Sequence, residues 1–88
     1  MKIILAIVRA DIVEAVSRAL IQHNYHVTHI SSTGGFLRRG NSTLVSGVAE
    51  HQVEGALRVI REVCQAAPEE KAHRAIIFVL DASQFFQI

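Results

Sequence analysis

The stretch KIILAIVR, residues 2–9, constrains this chain more than any other feature. Ile3, Leu5 and Ile7 alternate with Ile4, Ala6 and Val8, so an extended segment here is apolar on both sides. Such a strand belongs in the middle of a sheet and must be covered on both faces. With 88 residues, the chain has room for one domain, 1–88, and a limited core. The remaining residues must therefore supply the cover.

DIVEAVSRALIQHN, residues 11–24, follows with Asp11 and Glu14 in capping-box spacing. Ile12, Val13, Val16, Ala19 and Leu20 give one helical apolar face, and Asn24 is a stop signal. YHVTHISST (25–33) reads as a more polar strand, TGGFLRRGN (33–41) as a turn and STLVSGVA (42–49) as the return strand. HQVEGALRVIREVCQAA (51–67) is a second helix, with Val53, Ala56, Leu57, Ile60 and Cys64 on one side, ended by Pro68 and the charged EEK. HRAIIFVL (73–80) is a last strand, again apolar on both faces, and DASQFFQI is a short tail.

The order is βαββαβ, which predicts an α+β, ferredoxin-like fold: a four-stranded antiparallel sheet with two helices on one face. Two helices cover only one side of the first strand, and the last strand leaves an apolar edge. An uncovered apolar face of this kind calls for a partner, so the sequence predicts a homo-oligomer. Twofold dimers are the commonest closed assembly, and composition alone favours one.

The formal net charge is +1, so nothing general draws the chain to nucleic-acid polymers or anionic membranes. No apolar run approaches the roughly 18 residues of a membrane span, and MKIILAIVR runs straight into an acidic helix opening without a cleavage site. The single cysteine, Cys64, allows no internal disulfide and fits a reducing cytoplasm.

Of the five histidines, His23, His26 and His29 are evenly spaced, but His26 and His29 would face opposite sides of a strand. No cysteine pair or carboxylate cluster completes a tetrahedral set, so no metal site is expected. Cys64, on the apolar side of a helix, reads as an inert thiol. Ser31, Ser32 and Thr33 lack a GxSxG elbow and paired carboxylates, and no enzymatic activity is expected. RNA-recognition domains share the topology but need aromatics on their central strands, and IILAIV and STLVSGV carry none.

TGGFLRRGN holds more than a turn requires. Gly34 and Gly35 expose backbone N–H groups to a phosphate, and Arg38 and Arg39 add bidentate donors. Phe36 offers a stacking face, and Asn41 both donates and accepts. These parts suit a small phosphate-bearing nucleotide. They equally suit a hairpin with a glycine bulge and a phenylalanine tucked against a neighbouring subunit.

IILAIV, STGGFLRRGNST within HNYHVTHISSTGGFLRRGNSTLVSGV, and FVLDASQF within AIIFVLDASQFFQI together resemble the PII-like cyclic di-AMP receptor proteins, in order and over nearly the whole chain. The resemblance implies a non-catalytic signalling protein, assembled as a homotrimer rather than a dimer. It also implies one cyclic di-AMP in each cleft between subunits and a protein target of unknown identity. The implied ligand-binding positions are Asn24, His26 and Thr28, then Gly35, Phe36, Leu37, Arg38 and Asn41, then Gly47, with Phe78, Phe85 and Gln87 offered by the neighbouring chain.

Two departures stand out. His26 occupies a position where the family usually has arginine, so ligand binding would be weaker and would strengthen as pH falls. The link QAAPEEKAHR is short where the family carries a long loop that meets targets. These departures keep open a ligand-free structural or protein-interaction trimer of the same fold. An unrelated small-molecule regulatory domain of this topology also stays open.

Overall fold

A computed structural model describes residues 1–30, 41–66 and 75–88. Its elements are β1 (Lys2–Arg9), α1 (Val13–Gln22), β2 (Thr28–Ile30), β3 (Asn41–Val48), α2 (Val53–Ala66) and β4 (Ala75–Asp81), with a single 3-10 turn at Glu50–Gln52 before α2. The strands form one sheet in the order β2-β3-β1-β4, antiparallel throughout. The fold is thus α+β and ferredoxin-like, with β3 inserted between the parallel strands β1 and β2.

Register explains the two faces. Ile4, Ala6 and Val8 of β1 pair with Ser46, Leu44 and Ser42 of β3, and all three lie under the helices. Val16 and Leu20 of α1 and Ala56, Val59 and Ile60 of α2 close over them to form the core. Ser46 is buried here, but its hydroxyl donates to the His26 carbonyl oxygen at 2.6 Å, so it adds no unsatisfied group. The opposite face carries Ile3, Leu5 and Ile7, aligned with Leu80, Phe78 and Ile76 of β4. No described helix covers it, and Ile76, Phe78 and Leu80 remain about half exposed.

The ends of α1 differ from the sequence expectation at one point and match it at the other. Asp11 does not cap the helix. Its carboxylate accepts two hydrogen bonds from Arg9, from Nε at 2.7 Å and Nη2 at 2.9 Å, and Ile12 takes the N-cap position without a side-chain bond. The Arg9 guanidinium holds the Asp11 carboxyl below the usual carboxylate range. At the other end Asn24 adopts φ 69°, and the Asn24 and Tyr25 amides donate to Ile21 and Leu20 carbonyls, a Schellman stop. Tyr25 then packs on the core, and its hydroxyl lies 2.6 Å from where a Cβ on Gly55 would sit. Gly55 leaves room for that ring inside a helix where alanine would otherwise be favoured.

Because the stop consumes Asn24 and Tyr25, β2 begins only at Thr28, later than the expected strand from residue 25. The second helix is likewise preceded by the 3-10 turn, where Ala49 N–H donates to the Gln52 side-chain oxygen at 2.8 Å. At the β1–β4 end, Lys2 pairs with Asp81, raising the ammonium pKa and lowering that of the carboxyl.

Candidate functional site

The uncovered face holds a pocket of about 590 Å³, within the range typical of small-ligand sites. Its floor comes from three adjacent strands. Ile3 of β1 lies opposite Gly47 of β3, and Thr28 of β2 lies opposite Val45. Gly47 has no side chain to fill the floor, and the Met1 side chain runs beside it. The wall is the C-terminal tail. Ala82 N–H donates to the Met1 carbonyl at 3.0 Å, which extends the β4 pairing by one residue. Beyond it Phe85, Phe86 and Gln87 reach back to the pocket that Thr28 lines, although β2 is the strand farthest from β4.

The polar groups lining this pocket, among the described residues, are His26, Thr28 and Gln87. An imidazole, a hydroxyl and an amide supply both donors and acceptors, while two phenylalanine rings supply apolar faces. This set suits a flat heterocycle with hydrogen-bonding edges and an anionic group near the imidazole.

Five of the positions singled out from sequence meet here: His26, Thr28, Gly47, Phe85 and Gln87. Asn24 lies in an adjoining concavity of about 450 Å³ with Ile21, Tyr25 and Val27, and His26 lines both. Asn41 does not join them. It opens β3 opposite Arg9, six positions and about 20 Å from Gly47. Phe78 lies midway along the edge strand β4 opposite Leu5, half exposed on the uncovered face. Gly35, Phe36, Leu37 and Arg38 lie outside the described residues. The tail was expected to serve a neighbouring chain, and here it lines the pocket of its own.

Sequence reasoning missed Met1, Ile3, Val45 and Phe86 as lining residues. Ile3 and Val45 follow from register once the strand order is known. His29 points the other way, pairing with Leu44 on the helix side and lining a polar groove with Glu14, Ser17 and Arg18 of α1. The evenly spaced histidines are thus separated by the sheet.

Comparison with known proteins agrees with the fold. The crystal structure of a functionally unknown protein from Pediococcus pentosaceus ATCC 25745 superposes with a TM-score of 0.80 at 29% sequence identity. The match covers 99% of this chain and 96% of that one, so neither carries a long insertion relative to the other. The short link after α2 is therefore compatible with a solved fold of the same length. A family model described as cyclic-di-AMP receptor matches residues 1–72. That span takes in the first strand, the STGGFLRRGNST segment and both helices, and the chain belongs to the cyclic-di-AMP receptor family.

Proposed function

We propose that this chain is a non-enzymatic signalling receptor that binds cyclic di-AMP in clefts between the subunits of a homotrimer. The observation that carries the reading is the convergence of His26, Thr28, Gly47 and Phe85 on one pocket of the uncovered apolar face. The pocket accommodates one adenine between the tail rings and the strand floor. The distance of Asn41 from it supports a site completed by a second copy, whose opposite sheet end brings that residue to the ligand. Burial of Ile76, Phe78 and Leu80 between copies supplies the driving force for assembly. Ligand occupancy then alters the surface offered to a protein target.

Calorimetric titration of the assembled protein tests this reading. Saturable binding near one cyclic di-AMP per chain, absent with cyclic di-GMP, ATP and AMP, is the expected result. Two stacked bases and their phosphate contacts correspond to micromolar affinity, about −8 kcal/mol. Flat heats with every nucleotide would favour instead a ligand-free interaction trimer. The breadth of the exposed apolar face supports that second reading, because it drives assembly without ligand.

A further inference from the structure

Met1 is the one methionine in the chain, and its placement is specific. The side chain lies along the pocket floor, with Sδ 3.6 Å and Cε 3.7 Å from where a Cβ on Gly47 would sit. It lines the pocket together with Ile3, Val45 and the tail residues Phe85 and Phe86. Met1 is nonetheless 53% exposed in the single chain, and a cleft between copies that admits a nucleotide also admits a hydroperoxide. The other sulfur, Cys64, is half-buried on α2, in a groove against Ala75 and Ile77 of β4, away from this pocket.

We propose that Met1 is a ligand-contacting residue and an oxidation site at which hydroperoxides switch ligand binding off. The inference rests on the receptor reading of the same pocket. A thioether is soft, polarizable and apolar, suited to lie against a heterocycle edge or an aromatic ring. Oxidation by a hydroperoxide transfers one oxygen atom to the sulfur lone pair. The O–O bond breaks, an S–O bond forms, and the peroxide leaves as water or an alcohol. The sulfoxide is polar, chiral and bulkier. On a floor that Gly47 keeps open, that added oxygen occupies ligand space and brings a strong dipole against Ile3, Val45 and the rings. Methionine sulfoxide reductases reverse the change, so the device resets. Bound ligand, lying over the same sulfur, shields it from the oxidant.

The test uses the full chain, with the added oxygen placed on Met1 rather than Cys64 by peptide mapping. Protein is treated with hydrogen peroxide, scored by intact mass for a single added oxygen, and titrated with cyclic di-AMP beside untreated protein. The expected result is an affinity loss of about fivefold to tenfold, recovered on treatment with methionine sulfoxide reductase, and slower oxidation when ligand is present. Protein made with norleucine in place of methionine keeps Cys64 but has no thioether. Whatever its own affinity, peroxide should leave that affinity unchanged. Equal affinity of oxidised and untreated protein, or an equal peroxide effect in the norleucine protein, would overturn the inference while leaving the receptor reading intact. Untreated protein that binds no cyclic di-AMP would overturn both.

Discussion

The two faces of this sheet are built from the same residue types and meet different fates. On the helix side Ile4, Ala6, Val8, Leu44 and Val48 keep no more than 3% of their surface exposed. On the other side Ile30, Ile76, Phe78 and Leu80 keep between 46% and 50%. Strand chemistry does not separate them, since β1 is apolar on both. What differs is supply. Among the described residues, two helices cover one face and a short tail lies on the other. The covered face holds the core of the fold, and assembly and ligand are the roles we propose for the uncovered one.

If that division is right, mutations should separate cleanly by face. The largest effect on stability belongs to the covered side. Leu20→Ala in α1 should cost about 2–5 kcal/mol in denaturant unfolding, through a cavity that the close-packed layer cannot collapse. A cost under about 1 kcal/mol would mean that the helix layer is not the core. On the uncovered side, Phe78→Asp should leave far-ultraviolet circular dichroism intact while light scattering shows the assembly falling to monomers, because a carboxylate cannot be desolvated between apolar strands. A trimer that survives Phe78→Asp would place the interface elsewhere.

Two smaller effects concern the ligand rather than the fold. Phe36→Ala should weaken cyclic di-AMP binding by about 1–3 kcal/mol, the worth of a lost stacking contact, without changing the assembly mass. Wild-type affinity in that variant would remove the stacking role. The smallest effect belongs to His26, which lines the pocket. His26→Ala should weaken cyclic di-AMP binding by about 0.5–1.5 kcal/mol, the worth of one lost hydrogen bond. Wild-type affinity in that variant would take His26 out of the ligand contacts.

Most of the architecture was legible in the sequence because the local signals agreed with one another. Apolar runs on both faces marked β1 and β4, period-3.6 faces marked α1 and α2, and Asn24 marked a stop that the backbone makes with a positive φ. Asp11 shows where such reading runs out. Its spacing to Glu14 fits a capping box, yet Arg9, two residues away, forms a bidentate pair with the same carboxylate. A short-range ion pair and a cap compete for one group, and spacing alone does not rank them. The onset of β2 was missed for a related reason, since the helix stop reaches Tyr25 before the strand can begin.

The pocket was half legible. His26, Thr28, Gly47 and Phe85 were singled out through the family resemblance, and the register of three strands brings the first three to one floor. Met1 and Phe86 carried no signal. DASQFFQI has no periodicity, and nothing local says that it crosses the sheet rather than leaving it. Its path is set by tertiary contacts, beginning with the bond from Ala82 to the Met1 carbonyl.

The central claim is that the uncovered face serves assembly and ligand together, and native mass spectrometry of the full chain with and without cyclic di-AMP tests it most directly. The account predicts a trimer that takes up three cyclic di-AMP molecules. A monomer that binds ligand, or a trimer that takes up no nucleotide at all, would contradict it.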